Sequence, residues 1–465
     1  MNVKEINTVY FLGVGGIGMS AIARYFLANE CEVIGYDKTS TILSQELEQE
    51  GVKIHYQEDV EFVEGLLPQL QNKGLVVYTP AIPKDNLEFQ FFQEQNIRLY
   101  KRAEVLGLIS QNYFTIAIAG THGKTTTSSM VAHVLDACGV DCVAFLGGIS
   151  LNFNSNLLLN DEAKVLVVEA DEFDRSFLTL SPDIALIISL DADHLDVYEA
   201  QDEMIKSYQE FVGKIKPGGK LITKPSYKEI LNMNAAIEIQ TYDLHQEASF
   251  NAKKLEIKNG SYFVSIEGED ESVNEIELGL PGIHNVENAI GSFAIAKALE
   301  MSKEKIKAAL SSFKGVRRRF EYQIKTPSLV YIDDYAHHPT EIEFCVKSVR
   351  ELYPNKKITG IFQPHLYSRT RDFVDEFASS LSLLDELILL DIYPARELPI
   401  KGITSTVIFD KVNCKKKIEL QSGELLDHIS TNDYEVLLTM GAGDIDVFVQ
   451  PIKELFIKKL EKINA

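Results

Sequence analysis

Short apolar runs recur along the chain, each closed by glycine or polar residues and most followed by a stretch with helical spacing. The first covers 8–12 and ends in Gly13-Val-Gly-Gly-Ile-Gly18, with a helix predicted over 17–27. Strands at 32–36, 75–78 and 98–100 then alternate with helices at 43–50, 87–95 and 103–110. That alternation predicts a parallel sheet covered by helices, a Rossmann-like first domain over 1–110.

The alternation restarts at 114–134. Residues 115–119 form a buried strand that runs into Gly120, and helix-compatible residues begin near Lys124. Strands follow at 164–168 and 184–190, a helix at 201–214, a turn at 216–219 and a strand at 220–223. Residues 248–277 alternate apolar and polar about Asn259-Gly260, a hairpin signal, and helices over 285–299 and 303–313 complete a central P-loop ATPase-like domain over 111–316. Strands at 329–332, 357–362, 386–390 and 436–440, with helices from 340, over 373–383 and at the end, predict a C-terminal Rossmann-like domain over 317–465. The expected fold class is therefore α/β, in three domains with mainly parallel sheets.

Length agrees, because 465 residues exceed what one core normally holds. The content of 45% hydrophobic and 25% charged residues is that of a globular chain. A net charge of −22 argues against a nucleic-acid groove, so bound phosphates must meet local positive sites. Cys31, Cys138, Cys142, Cys345 and Cys414 read as ordinary thiols, since no second pair completes a zinc pattern with Cys138 and Cys142. No leader pattern and no long apolar run occur, which predicts a cytoplasmic protein without membrane insertion. A monomer or weak homodimer is expected.

The candidate chemistry gathers where strands end. Gly120-Thr121-His122-Gly123-Lys124-Thr125-Thr126 would wrap N–H groups round an anion at a helix mouth, with Lys124 on the outer phosphates and Thr125 on Mg²⁺. The full Walker pattern asks for glycine where Ile118 stands, so this loop is a shortened variant. Gly13, Gly15 and Gly18 form a second phosphate loop, and Asp37 falls where a dinucleotide fold keeps its ribose acid. This keeps an NAD-dependent dehydrogenase in view, because the glycines do not say which diphosphate they hold. Thr79-Pro80-Ala81-Ile82-Pro83 is a stiff loop at another strand end. Strand 164–168 delivers Glu169, Asp171 and Glu172, the Walker-B logic of a carboxylate holding Mg²⁺; strand 184–190 delivers Asp191, Asp193, His194 and Asp196. Asn285 and Asn288 share a helix face and could read a base edge, or Asn285 could cap the helix. Arg317, Arg318 and Arg319 form a basic cluster in an acidic chain, and the third domain adds Asp334, Tyr335, His337, His365 and Arg369 along one rim.

A motor or GTPase needs neither the first nor the third of these domains, and a dehydrogenase does not need the second. An enzyme that joins two substrates with ATP needs all three. A carboxylate resists attack by an amine because its oxygen leaves poorly; phosphoryl transfer gives an acyl phosphate, and relieving repulsion between the two anions is the catalytic task.

GVGGIGMSAIA, AGTHGKTTT, VEADEFDRSFL, DADHLDVY, GIHNVENA, GVRRRFE, DDYAHHPTEIE, FQPHLYSRTRDF and MGAGDI resemble, in kind and order, the Mur ligases of peptidoglycan synthesis, from near Val9 to near Ile445. The resemblance is nearest to the alanine-adding branch. It implies ATP and a pair of Mg²⁺ ions as cofactors, with UDP-N-acetylmuramate and L-alanine as substrates. It places the UDP substrate on Gly13, Gly15, Gly16, Gly18, Met19, Ser20, Asp37, Thr79 and Ala81. It gives ATP the loop 120–126, with His284, Asn285 and Asn288 at adenine, Arg319 at phosphate and Asp334 at ribose. Thr125, Glu169 and His194 become the metal ligands; Lys124, Glu169, His194, Arg319 and His337 the catalytic set; Tyr335, His365 and Arg369 the amino-acid and product end. Closure of the third domain over ATP is expected. Leu366 replaces an arginine common in relatives, the run 149–154 departs from the family pattern, and the segment after Pro217 lacks its Cys-x-Asp-Asp. Gln209 stands where several relatives carry a carbamylated lysine, so no modified lysine is expected. The rivals are a recycling ligase that adds a tripeptide, the dehydrogenase, and a non-enzymatic nucleotide-gated binding module. The DRSFL and MGAGDI runs favour alanine addition.

Overall fold

In the computed structural model, which describes residues 3–190, 201–231, 236–258, 261–268, 271–395 and 397–464, the apolar runs assemble into three sheets. The first is wholly parallel, in the order Lys53–His55, Glu32–Tyr36, Thr8–Leu12, Gly74–Tyr78, Leu99–Lys101. Its central strand Thr8–Leu12 is buried at every position, which is why it reads as an unbroken apolar run. Register places Leu12 level with Tyr36 and Tyr78, so Gly13, Asp37 and Thr79 emerge together at one rim. The strand order reverses between Thr8–Leu12 and Gly74–Tyr78, and such switch points are where open α/β sheets take ligands. The helix Val60–Gln71 was not foreseen because Pro68 lies inside it, and proline normally argues against a helix interior.

The second sheet has ten strands, in the order Ser272–Leu278, Ser261–Glu267, Phe250–Lys258, Glu238–Asp243, Lys220–Thr223, Ile184–Ile187, Phe114–Ala119, Val165–Glu169, Cys142–Ser150, Ser155–Leu158. Around Phe114–Ala119 the pairing is parallel on both sides, and Ala119 lies level with Ile187 while Ile118 faces Glu169. The phosphate loop, the acidic strand end and Ser189 therefore share one rim. The antiparallel pair Cys142–Ser150 and Ser155–Leu158 covers the departing 149–154 segment and was not read as strands. The hairpin tip Asn259-Gly260 lies outside the described residues.

The third sheet runs Glu321–Lys325, Val330–Asp334, Val436–Met440, Ile358–Phe362, Glu386–Leu390, Lys416–Leu420, antiparallel only at its first edge. Asp334, Met440 and Phe362 are level, so Tyr335, Gly441 and Gln363 leave the sheet side by side.

Backbone contacts divide the chain into two units: residues 1–256, 263–279 and 284–314 in one, and residues 257–262, 280–283 and 315–465 in the other. Within the first unit, one apolar cluster runs from Val9, Phe11, Tyr25 and Phe26 to Phe145, Phe177 and Phe211, so the first two sheets share a core. Tyr25 and Phe145 meet with ring centroids 5.6 Å apart. The second unit has its own core around Tyr331, Ile388, Leu437 and Phe456. No helix among the described residues is long and apolar enough to cross a membrane.

Candidate active site

The first glycine loop begins where Gly13 leaves its strand at φ +87, a conformation glycine adopts without penalty, and donates its N–H to the Tyr36 carbonyl. Gly15 donates to Asp37 Oδ2 at 2.8 Å, and Thr39 donates to Oδ1 at 3.1 Å. Asp37 thus braces the loop through both oxygens. The helix Ile17–Ala28 starts at Gly16 with no side-chain cap. By contrast, Thr41, Asp59 and Asn86 cap the next helices of this domain. Uncapped first-turn N–H groups at a sheet switch point suit a phosphate group. Thr79 packs against Gly13, and Ala81 donates to Thr79 Oγ1 at 3.4 Å. The side chains of Met19 and Ser20, given to the UDP substrate by the resemblance, are buried: Met19 joins the core, and Ser20 Oγ accepts from Asn156 Nδ2 at 2.8 Å.

Asn156 had not been singled out. Its amide also donates to the Ile17 carbonyl at 2.6 Å, while its oxygen accepts from Arg24, which grips Glu50 with two bonds of 2.7 Å. A fully buried asparagine on the second sheet is thereby saturated by the helix that carries the first glycine loop.

In the second loop Gly120 has φ +142 and presses against the Ser189 backbone. Ser189 Oγ bonds Thr121 Oγ1 at 2.9 Å and accepts the His122 N–H at 2.9 Å. Ile118, the residue that breaks the full Walker pattern, stays in the buried strand, and its carbonyl accepts from Ala170 at 2.8 Å. The helix Lys124–Cys138 opens at Gly123, again without a side-chain cap, so the N–H groups of its first turn, Lys124 to Thr126, point at the loop mouth. Lys124 Nζ donates to both oxygens of Glu172, at 2.9 and 2.7 Å, and to the Gly120 carbonyl at 2.7 Å. Burial opposes its charge, but Glu172, Asp171 and Glu169 outweigh burial and raise its pKa. Glu172, grouped in the sequence with Glu169 and Asp171 as a carboxylate for Mg²⁺, is fully buried and instead pairs with the lysine.

Glu169 ends its strand partly exposed, with Oε2 accepting the Gly147 N–H at 3.1 Å. Asp191, Asp193, His194 and Asp196 lie outside the described residues. Asn285 is the third residue of helix Ile283–Ala298 and so does not cap it. Asn288 donates to Asn285 Oδ1 at 3.2 Å, both side chains are buried, and a Cβ on Gly123 would stand 3.2 Å from Asn288 Oδ1. The Asn288 amide therefore lies against the phosphate loop, with Asn285 bonded behind it. Burial lowers the His284 pKa to about 4, so the imidazole is neutral at physiological pH. Asn152, in the departing segment, binds the Ser312 carbonyl and the Lys314 N–H, a local brace. Gln209 donates to the Ile230 carbonyl at 2.8 Å.

In the second unit the arginine cluster divides by role. Arg317 is exposed. Arg318 binds buried Asp333 at 3.1 Å and the Gly441 carbonyl at 2.6 Å. Arg319 lies over the Tyr335 ring, 5.2 Å from its centroid. Asp334 accepts N–H bonds from Phe320 and Ala336, each at 2.7 Å; burial, only partly offset by Arg319, pushes its pKa up to about 6. His337 Nδ1 meets the Tyr335 carbonyl at 3.0 Å and Glu341 at 3.2 Å, and burial lowers its pKa despite Glu341. His365 stacks on Tyr393, and burial with His337 and Arg369 nearby lowers its pKa to about 4. His365 Nδ1 and Arg369 Nη1 are buried with no hydrogen-bond partner among the described residues. Leu366 takes φ +72 between them and donates its N–H to the Tyr393 carbonyl, strain of the sort that collects at functional sites.

Comparison with known proteins agrees in order and extent. The chain matches the Mur ligase family, catalytic domain over residues 8–114, the Mur ligase middle domain over 118–296, and the Mur ligase, glutamate ligase domain over 318–443. It is 47% identical over 468 residues to a UDP-N-acetylmuramate–L-alanine ligase of Cytophaga hutchinsonii, covering 100% of both chains. The crystal structure of UDP-N-acetylmuramate-alanine ligase from Thermotoga maritima superposes with a TM-score of 0.81 at 27% identity, over 97% of this chain and 99% of that one. A murein peptide ligase from Psychrobacter arcticus shares the fold, with a TM-score of 0.70 at 23% identity over 97% of this chain and 98% of that one.

Proposed function

Because the chain belongs to the Mur ligase family, we propose that it joins L-alanine to the carboxylate of UDP-N-acetylmuramate with ATP, giving UDP-N-acetylmuramoyl-L-alanine, ADP and phosphate. The observation that carries this reading is Lys124, charged and held by buried Glu172, beneath a helix mouth that no side chain caps. We assign the domains as 1–110 for the UDP substrate, 111–316 for ATP and 317–465 for the amino acid. We assign it to the cytoplasm, the compartment that supplies ATP and nucleotide-linked sugars.

The uncapped N–H groups of the first turn, from Lys124 to Thr126, cradle the phosphates of ATP, and Lys124 neutralises charge on the outer two. Glu172 and the Gly120 carbonyl engage all three N–H groups of the ammonium and hold it at the loop mouth, and an arriving triphosphate draws at least one of them away. Thr125 and Glu169 supply the hard oxygen donors that Mg²⁺ prefers, and His194 is assigned beside them by resemblance. Bound there, Mg²⁺ would screen the repulsion between the sugar carboxylate and the γ-phosphoryl group. The carboxylate oxygen attacks phosphorus and ADP leaves, which turns a poor leaving group into phosphate. The amine of L-alanine then attacks the acyl carbon, and phosphate departs as the amide forms. The ammonium of L-alanine must lose its proton before it attacks, because its own carboxylate holds its pKa above the chain-terminal α-amino value of about 7.7–8.0.

The adenine is assigned to His284, Asn285 and Asn288; the two amides pair with each other and offer donor and acceptor, Asn288 beside Gly123. Arg319 and Asp334 are assigned to phosphate and ribose, His337 to the catalytic set, and Tyr335, His365 and Arg369 to the amino-acid and product end. The unmatched N–H of buried Arg369 suits a carboxylate, which would satisfy it in two-pronged fashion. The test is phosphate release by purified protein with ATP, UDP-N-acetylmuramate and either L-alanine or the tripeptide. Release that requires the sugar nucleotide and prefers L-alanine supports the proposal; preference for tripeptide, or quenching of NADH fluorescence at micromolar cofactor, refutes it.

A further inference from the structure

Arg102 begins helix Arg102–Ser110 and was given no role by the sequence. Its guanidinium lies on Gly18 so closely that a Cβ there would stand 2.8 Å from Nη1 and 3.2 Å from Cζ. Gly18 has ordinary helical backbone, so what a side chain there would disturb is the seat of the guanidinium, not the backbone angle. On its other side Nη2 of Arg102 stands 3.8 Å from Asp171 Oδ2, a loose contact between side chains that are 26% and 37% exposed. The arginine thus spans the first glycine loop and the acidic strand end next to Lys124.

The loop 13–20 carries no basic side chain, and Asp37 adds a carboxylate directly beneath Gly15. A diphosphate on that loop would bring still more negative charge to a chain of net charge −22. Arginine is the side chain best shaped to meet phosphate oxygens with paired N–H groups. We infer that Arg102 binds the diphosphate of the UDP substrate, with Asp171 holding the guanidinium over Gly18 until the substrate takes it. This rests on the reading of the first domain as the UDP-substrate domain. It also gives the substrate a direct link to the strand end that tunes Lys124.

Titration of UDP-N-acetylmuramate, and of UDP alone, into full-length protein without ATP tests it. Arg102→Ala should weaken both ligands about 10- to 100-fold, the range for a lost charge-assisted contact, with Arg102→Lys between it and wild type. The KM for ATP should stay within about twofold. Arg98→Ala, which removes a neighbouring charge that instead stacks on Tyr100, should leave binding unchanged. Gly18→Ala, which crowds the guanidinium, should weaken binding on its own and add little in the Arg102→Ala background. Asp171→Asn should leave UDP binding unchanged or tighter, because it frees the arginine. Equal weakening by Asp171→Asn would make Arg102 a mere structural link and overturn the inference, as would unchanged binding by Arg102→Ala in a protein whose wild type binds. Wild-type protein that binds neither ligand would overturn the domain reading along with it.

Discussion

Replacing Glu172 by glutamine keeps the shape of a fully buried side chain and removes the anion that Lys124 touches at 2.9 and 2.7 Å. Losing one partner of a buried pair typically costs about 3–5 kcal/mol. The loss has a ceiling, because Lys124 can shed its proton at neutral pH for about 4.6 kcal/mol, given an ordinary pKa of about 10.4. Asp171 and Glu169 still favour the charge, and the glutamine oxygen and the Gly120 carbonyl still accept from it, which points to about 2–3 kcal/mol. The pH dependence has a definite sign. In the wild type the folded pKa is raised, so the contribution of Lys124 is complete below about pH 10.4 and is lost as pH climbs through the folded value. In Glu172→Gln burial meets less opposition, the folded pKa falls below the unfolded one, and stability should rise with pH up to about 10.4. Urea unfolding of the full chain at pH 7 and pH 9 measures this, and saturating magnesium ATP should restore much of the loss by giving Lys124 phosphate oxygens instead. A variant with the wild-type midpoint at both pH values would refute the claim that the pair carries this energy.

Gly147→Ala would push a methyl into the Glu169 carboxylate, and the magnesium concentration for half-maximal turnover should rise about 10-fold or more. An unchanged requirement, read by titrating magnesium in the phosphate-release assay, would take Glu169 out of the metal site. Asn288→Leu should raise the KM for ATP about 10-fold while sparing that for L-alanine, since it removes an amide that lies on the phosphate loop. Asp334 needs its charge to hold both the Phe320 and Ala336 N–H groups, so kcat/KM should fall as pH drops below about 6, a limb that Asp334→Asn should flatten. Stability moves the other way: the folded pKa of Asp334 is raised, so its favourable contribution is complete below an unfolded pKa of about 3.9 and vanishes as pH rises through about 6.

The parts of this fold that periodicity reveals are the buried central strands, such as Thr8–Leu12 and Val436–Met440, whose every position is apolar or β-branched because both faces are covered. Elements that fail this test were missed: the three-residue strand Lys53–His55, the proline-bearing helix Val60–Gln71, and the polar edge strand Lys416–Leu420. Candidate residues on loops after strands were legible for the same reason, since the strand announces its own end. Their partners were not. Glu172 pairs with Lys124 across 48 positions, Asn156 reaches Ser20 across 136, and Arg318 reaches Gly441 across 123. No local pattern encodes a contact made by bringing different strands to one rim, so a buried glutamate reads like a solvated one until its cation is found.

The glycines show where a sequence does record such contacts indirectly. Gly15, Gly18, Gly147 and Gly443 have backbone angles that other residues adopt, so conformational freedom does not explain them. Each is instead overlain by a polar side chain: Asp37 on Gly15, Arg102 on Gly18, Glu169 on Gly147 and Gln363 on Gly443. A side chain at any of them would displace a group that donates or accepts at a sheet rim. Glycine in these motifs is therefore the imprint of a partner that must come close, and the imprint carries no label. That is why the glycine loops could be recognised at once, whereas the arginine and the carboxylates leaning on them emerged only when the strands were placed side by side.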